Sequence, residues 1–249
     1  MIEGHMQVLG VIPARIGSTR LTKKPLINIA GRPLIQWVVE AALSSKRLDK
    51  LIVATDSEEI GESVRSMGVE PVLTDPALPS GTDRVWAAAK NLNYDIIVNI
   101  QGDEPLLRGE WLEALLSPFE QNKDCKMSTV ATELERIELD QASVVKALVN
   151  SRFEAIYFSR FPIPYTRTQP AADSLLPYKH IGLYAYSYDF LERFCQEPVT
   201  ELEKAESLEQ LRALWLGEKI HLTPVTGLSV GVDTDDDVKK VEKFLEGRT

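Results

Sequence analysis

Two observations predict an α/β fold with a mainly parallel, mixed sheet flanked by helices. Short β-branched apolar runs alternate with longer amphipathic stretches through the first half of the chain, which is the pattern of βαβ units. Beyond residue 125 strand-like segments follow one another with fewer helices between them, which predicts an antiparallel or mixed extension of the sheet. The length of 249 residues suits one large α/β domain, and 44% hydrophobic with 26% charged residues is too apolar for a disordered chain.

In order, VLGVIP (8–13), LIVAT (51–55), VEPVL (69–73) and DIIVNI (95–100) read as strands. Helices are predicted over 33–46, 57–67, 81–91 and 109–121. The second starts at Asp56 or Ser57 with glutamates in its first turn, where a cap and the helix dipole favour them. Strand-like segments at 127–132, 144–149, 154–158 and 179–187 form the extension. The stretch IPYTRTQPAADSLLPY (163–178), with three prolines and small polar residues, predicts a long functional loop. Helical patterns over 201–216 and 235–245 follow, separated by the strand-like IHLTPV. There is no internal repeat or low-complexity tract.

Charge and cysteine usage exclude several function classes. With 28 basic against 37 acidic residues and a formal net charge of −9, bulk attraction to a nucleic-acid backbone or an anionic membrane is disfavoured. Cys125 and Cys195 lie far apart with no CxxC spacing and no clustered histidines, so neither a disulfide framework nor a zinc site is suggested. A reducing cytoplasm is the simplest setting. No apolar run approaches a membrane span, and the start lacks a secretory pattern. The opening MIEGHM reads as a cloning scar ahead of a natural start near Met6, which removes His5 from functional argument and leaves 7–249 as a single domain.

Three segments carry chemistry. PARIGSTRLTKKP (13–25) follows the first strand and gathers Arg15, Arg20, Lys23 and Lys24 around Gly17-Ser18-Thr19. A strand-to-helix loop of an open α/β sheet is where ligands dock, and backbone N–H groups with four cations suit a polyphosphate. Neither GxxxxGK[ST] nor GxGxxG is present, so P-loop hydrolases and Rossmann dehydrogenases lose their motif. The plain alternative is an exposed basic turn.

NIQGDEP (99–105) ends a strand in a glycine and two carboxylates. Asp103 is placed to hold Mg²⁺ against phosphates, because this hard ion takes one or two carboxylates and keeps the rest of its shell for water and phosphate. Glu104 is read as a cap, and the plain alternative for the whole segment is a capped turn. GVDTDDD (231–237) ends a short strand and opens the last helix; Asp235, Asp236 and Asp237 suit a helix start, while Asp233, on the strand end, is the second candidate ligand. Two such carboxylates opposite a basic loop converge on a nucleoside triphosphate. Arg84 in SGTDR, Arg160 in YFSR, His180 in KHIGLYAY and the Glu209-Gln210 pair in SLEQLR could read an acidic second substrate. Each has a structural alternative: ion pairing for Arg160, solvation for Glu209 and Gln210, packing for His180.

Taken in order, PARIGSTRLTKKPL, SGTDRV, VNIQGDEP, YFSRFPIP, HIGLYAY, LEQLRALWLGEKI and GVDTDDD resemble the 3-deoxy-manno-octulosonate (Kdo) cytidylyltransferases, the CMP-Kdo synthetases of lipopolysaccharide biosynthesis, over about 7–247. The resemblance implies a Rossmann-like nucleotidyltransferase fold, a homodimer, and a reaction that joins CTP and Kdo to give CMP-Kdo and pyrophosphate with Mg²⁺. It implies that Arg15, Arg20 and Lys24 hold the triphosphate, with Ser18 in the same loop, and that Ser80 and Gly81 line the cytosine pocket. Asp103 and Asp233 are then the metal ligands. Gln101, Arg160, His180, Tyr184, Glu209 and Gln210 face the sugar acid, with Arg84 nearby.

The chain departs from that family twice. Leu21-Thr22-Lys23-Lys24-Pro25 stands where LPGKP is usual, which restricts the backbone at position 23 and adds a charge. The 163–178 stretch also matches poorly in length and composition. The expected mechanism is in-line attack of the anomeric hydroxyl on the α-phosphorus of CTP, with no protein nucleophile. The rivals are the same chemistry on 8-amino-Kdo or sialic acid, a metal-dependent glycosyltransferase suggested by the DxD pattern in DTDDD, and a nucleotide-sensing protein without catalysis.

Overall fold

The computed structural model describes residues 5–17, 21–167 and 177–247. The chain is an α/β protein with a mainly parallel, mixed sheet and flanking helices, as the alternation predicts. Its packing divides into two compact units. One comprises the described residues through Glu113 and from Leu228 onward, and the other is Ala114–Gly227.

The first unit runs β1 (Val8–Ala14), a small hairpin of β2 (Asn28–Ile29) and β3 (Arg32–Pro33), α1 (Leu34–Leu43), β4 (Lys50–Thr55), α2 (Glu58–Arg65), β5 (Glu70–Leu73), α3 (Gly81–Ala89), β6 (Ile96–Asn99) and the start of α4 (Gly109–Gln121). A helix over Asp235–Glu246 near the C-terminus completes it. Its four main strands are parallel in the order β6-β1-β4-β5. β1 and β4 are buried along almost their whole length, so their β-branched residues pack on both faces. The register sets Ala14 opposite Thr55 and Val11 opposite Asn99, which lines up the carboxyl ends of β1, β4 and β6. Ligands of open α/β sheets dock at such ends.

Below those ends Leu21, Ile29, Leu34, Leu106, Val232 and Val241 form one buried cluster. These residues come from the first loop, the hairpin, α1, the segment after β6 and the C-terminal region. Their burial therefore fixes the backbones that carry Lys24, Asp103 and Asp233.

The second unit contains the rest of α4, β7 (Met127–Glu133), β8 (Lys146–Val149), β9 (Ala155–Ser159), β10 (Tyr178–Ser187), α5 (Tyr188–Gln196), α6 (Glu201–Glu206), α7 (Leu211–Trp215) and β11 (Ile220–Pro224). The C-terminal helix of the first unit is α8. Strand β10 is antiparallel to β7 and β8, β9 is antiparallel to β8, and β11 is parallel to β7. This is the mixed extension that the change of pattern predicts.

Two helical expectations need correction. The single helix expected over 201–216 is two, because Ser207 adopts a left-handed conformation (φ 51°) and caps α6. The Leu208 N–H then turns back to the Glu203 carbonyl. Helix α5 was not expected at all. It starts directly after β10 at Ser187 with no intervening turn signal, and its apolar face buries Phe190, Leu191 and Phe194. Residues 168–176 of the Pro-rich stretch lie outside the described residues. Among the described residues no helix is long and apolar enough to cross a membrane.

Candidate active site

In the first unit the two predicted carboxylates converge. Lys24 Nζ donates to Asp103 Oδ2 at 2.6 Å and to Asp233 Oδ1 at 2.8 Å. The Val232 N–H donates to the Asp103 carbonyl at 2.9 Å, which ties the segment bearing Asp233, where the expected short strand does not form, to the loop bearing Asp103. Gly102, just before Asp103, has no room for a side chain, since a Cβ there would lie 2.9 Å from the Pro13 carbonyl oxygen. Burial alone would lower the Lys24 pKa, but Asp103 and then Asp233 outweigh it and the net shift is upward, so the ammonium stays charged.

A cation thus already sits between two hard oxygen donors. That donor set fits Mg²⁺, which needs only one or two carboxylates when water and phosphate fill its remaining positions. Among the described residues there is no group of three or more His, Cys, Asp or Glu side chains able to hold a metal.

The neighbouring segments are ordered by their own hydrogen bonds. Ser80 caps α3: its hydroxyl accepts from the Asp83 N–H at 3.1 Å and donates to Asp83 Oδ2 at 2.7 Å. Gly81 is exposed beside it, with Pro13 the nearest neighbour of the Cβ it lacks. Gln101 Nε2 donates to Asn99 Oδ1 at 3.4 Å, and the buried Asn99 donates to Thr82 Oγ1 at 3.3 Å. Arg15 is exposed at the end of β1. Ser18 and Arg20 lie outside the described residues. Arg84 is buried. Its side chain is 3% exposed, bonded to Thr74 Oγ1 and 3.7 Å from Asp56.

Lys23, where the resemblance leads one to expect a glycine, adopts a left-handed conformation (φ 52°, ψ 39°), and its ammonium reaches Glu59 Oε2 at 2.6 Å. A left-handed backbone is costly for any residue with a Cβ, and an ion pair between two half-exposed side chains returns little. Lys23→Gly is therefore expected to raise stability by up to about 1 kcal/mol in urea unfolding. An unchanged or lowered midpoint would mean that the Glu59 pair outweighs the backbone strain.

In the second unit β10 carries His180 and Tyr184 on either side of a bulge between Ile181 and Tyr184. Thr129 Oγ1 anchors that bulge, donating to the Leu183 carbonyl at 2.9 Å and lying 3.0 Å from His180 Nε2. A bulge re-aims side chains, and here it brings the His180 and Tyr184 rings to 5.4 Å. The opposite edge of His180 meets Phe158 at 4.9 Å. Although part of the residue remains accessible, burial pushes the His180 pKa down to about 3. Burial, reinforced by Glu209, raises that of Tyr184 well above its usual value. Both groups are neutral at physiological pH and can act as hydrogen-bonding partners but not as charges.

A histidine whose folded pKa lies below its unfolded value supports stability above the unfolded value and loses that support as pH falls toward the folded one. The His180 ring resonances should accordingly stay flat from about pH 8 to about 4.5 in an NMR titration, against an ordinary value of about 6.5. A midpoint near 6.5 would contradict the buried, neutral ring.

Arg160 is held by backbone carbonyls. Its guanidinium donates to the carbonyls of Glu206 (2.8 Å), Ala142 (3.1 Å) and Ser207 (3.3 Å), and its own N–H donates to Glu206 Oε2. Lys146, which sequence reasoning passed over, is fully buried and donates to the carbonyls of Gln141, Val144 and Arg160. Burial lowers its pKa. Glu206 joins the same set by accepting from Ser159 Oγ at 2.6 Å. Neither residue sits in a motif, and only their long-range partners reveal the role. Gln210 is 2% exposed, and its side-chain Nε2 has no hydrogen-bond partner among the described residues, whereas Glu209 beside it is half-buried. An unpaired buried amide donor is costly unless something completes it.

Comparison with known proteins adds to this geometry. A family model described as Cytidylyltransferase matches residues 9–220. A 3-deoxy-manno-octulosonate cytidylyltransferase from Bdellovibrio bacteriovorus is 51% identical, covering 98% of this chain and 99% of its own. One of the same name from Acidobacterium capsulatum is 45% identical over 96% and 97%. The solved structure of a CMP:2-keto-3-deoxy-manno-octonic acid synthetase complexed with CTP superposes with a TM-score of 0.92 at 38% identity, covering 98% of this chain and all of that one.

Proposed function

Because the chain belongs to the family of 3-deoxy-manno-octulosonate cytidylyltransferases, we propose that it transfers CMP from CTP to the anomeric hydroxyl of Kdo, releasing pyrophosphate. The observation that carries this reading is the convergence of Asp103 and Asp233 on one cation, 2.6 and 2.8 Å from Lys24 Nζ, at the carboxyl ends of a parallel sheet. Arg15, Arg20 and Lys24 neutralise the triphosphate, Ser18 of the same loop hydrogen-bonds it, and Ser80 and Gly81 take the base. Gln101, His180, Tyr184, Glu209 and Gln210 read the sugar acid, and Gln210 Nε2 is a buried donor with no acceptor among the described residues. The Arg160 guanidinium spends three of its N–H donors on backbone carbonyls, and the second N–H of Nη1 and of Nη2 is left to meet the sugar carboxylate.

Asp103 and Asp233 would hold Mg²⁺. That ion, when bound, supplies charge neutralisation at the reacting phosphate. Lys24, which bonds one oxygen of each carboxylate, would share them with the ion and keep its positive charge beside the phosphates. His180 and Tyr184, both uncharged, orient hydroxyl groups without adding charge beside the sugar carboxylate. No residue is required as a covalent nucleophile, and positioning with electrostatics does the catalysis. The same reading takes the protein to be a homodimer that acts in the cytoplasm, in lipopolysaccharide biosynthesis.

The test is pyrophosphate release by purified protein with Mg²⁺, using each of four nucleoside triphosphates against Kdo, 8-amino-Kdo and sialic acid. Release with CTP and Kdo is the expected result. Release with another sugar acid alone would move the substrate, and CTP binding without release from any pair would overturn the transferase reading.

A further inference from the structure

We propose that Asp56 and Arg84 form a buried brace that positions the triphosphate loop against the nucleobase segment. The proposal rests on the nucleotide site described above and adds two residues behind it. Asp56 follows the last residue of β4, and its side chain is 7% exposed. One carboxylate oxygen, Oδ1, accepts the Ile16 N–H at 2.8 Å and so fixes the backbone of the first loop next to Arg15. The other, Oδ2, faces Arg84 Nη2 at 3.7 Å.

Arg84 lies one turn into α3, four residues after Ser80. Its Nη1 bonds to Thr74 Oγ1, and that hydroxyl and the Thr74 N–H both donate to the Thr55 carbonyl, at 3.1 and 2.8 Å. Thus the loop after β1, the end of β4, the segment after β5 and the start of α3 meet at one buried ion pair. Arg84 Nη2 is buried without a hydrogen-bond partner among the described residues, and the Asp56 carboxylate is the charge that faces it. A charge pair with so little solvent around it is retained at a cost in desolvation. Here it joins the loop bearing Arg15 to the helix opened by Ser80 and Gly81, the two segments that must hold opposite ends of one nucleotide. Asp56 and Arg84 are positioning residues, since neither reaches solvent enough to touch a substrate.

The brace is tested with Asp56→Ala and Asp56→Asn, measuring CTP affinity by calorimetry with Mg²⁺ and KM for each substrate. Removing a hydrogen bond to a charged acceptor should weaken CTP binding and raise KM for CTP by about tenfold or more in Asp56→Ala. KM for the sugar acid should stay within about twofold, and Asp56→Asn, which keeps an acceptor for the Ile16 N–H but removes the charge that faces Arg84, should have a CTP affinity between those of Asp56→Ala and wild type. Lower activity in proportion to the folded fraction, with CTP affinity unchanged, would overturn the brace. Should Asp56→Ala fail to fold, the wild-type protein still decides: the Ile16 amide should exchange at least about 100-fold more slowly than an unstructured amide. Exchange at the unstructured rate overturns the proposal. Wild-type protein that neither binds CTP nor releases pyrophosphate would defeat the proposed reaction instead, and the Ile16 exchange rate separates the two failures.

Discussion

Asp103→Asn is expected to lower turnover by about 10²–10³-fold at saturating Mg²⁺, the range found when one preorganised electrostatic partner of a transition state is removed. The amide has nearly the same shape, so the Val232 N–H bond to the Asp103 carbonyl and the surrounding apolar cluster should survive. What is lost is the negative charge that now sits 2.6 Å from Lys24 Nζ. The effect should fall on kcat more than on the affinity for CTP, because the basic loop proposed to hold the triphosphate is unchanged in sequence. Asp233→Asn should act in the same direction, and the double variant should fall short of the product of the two, since both carboxylates serve one cation. Near-wild-type turnover of Asp103→Asn would remove it from the metal-holding role.

The strand that leads to Asp103 and its neighbours in the sheet were readable in the chain, whereas the short strand expected before Asp233 does not form. VLGVIP, LIVAT and DIIVNI have the β-branched apolar character of buried parallel strands, and each becomes one. A carboxylate just past such a strand is also a local pattern, which is why Asp103 stands out. Asp56 ends LIVAT in the same manner and could have been found by the same signal, had its place at a helix start not explained it first. Arg84 and Arg160 were legible only as cations. Whether a guanidinium meets a substrate or is consumed inside the protein depends on partners 28 to 47 positions away, Asp56 for the one, Glu206 and Ser207 for the other, and local pattern does not carry that. The break at Ser207 has the same origin. Residues 201–216 have helical periodicity throughout, and the left-handed turn is held by the Ser207 carbonyl accepting from Arg160 and the Leu208 N–H returning to Glu203.

Arg212 should give the largest loss of stability. Its guanidinium donates to both carboxylate oxygens of Glu203, through Nε at 2.8 Å and through Nη2, and Nη1 donates to the Phe194 carbonyl at 3.0 Å. The group also lies over the Phe194 ring at 4.6 Å. Both side chains are below 10% exposed, so neither charge has water to fall back on. Glu203 is in addition the third residue of α6 and completes the capping box with Thr200. Removing the arginine alone strands a buried carboxylate, and Arg212→Ala is expected to cost about 3–5 kcal/mol in denaturant unfolding. The chemistry of that penalty predicts its remedy. Arg212→Met combined with Glu203→Leu removes both charges together and keeps the volume, so it should recover more than half of the loss, since apolar replacement of a buried pair is often neutral or better. A double variant no more stable than Arg212→Ala would show that the capping box and the Phe194 carbonyl, rather than the stranded charge, set the cost. Because Glu209 and Gln210 lie between α6 and α7, which this pair holds together, Arg212→Ala should also raise KM for the sugar acid before it unfolds the protein, while CTP affinity in the first unit stays at the wild-type value.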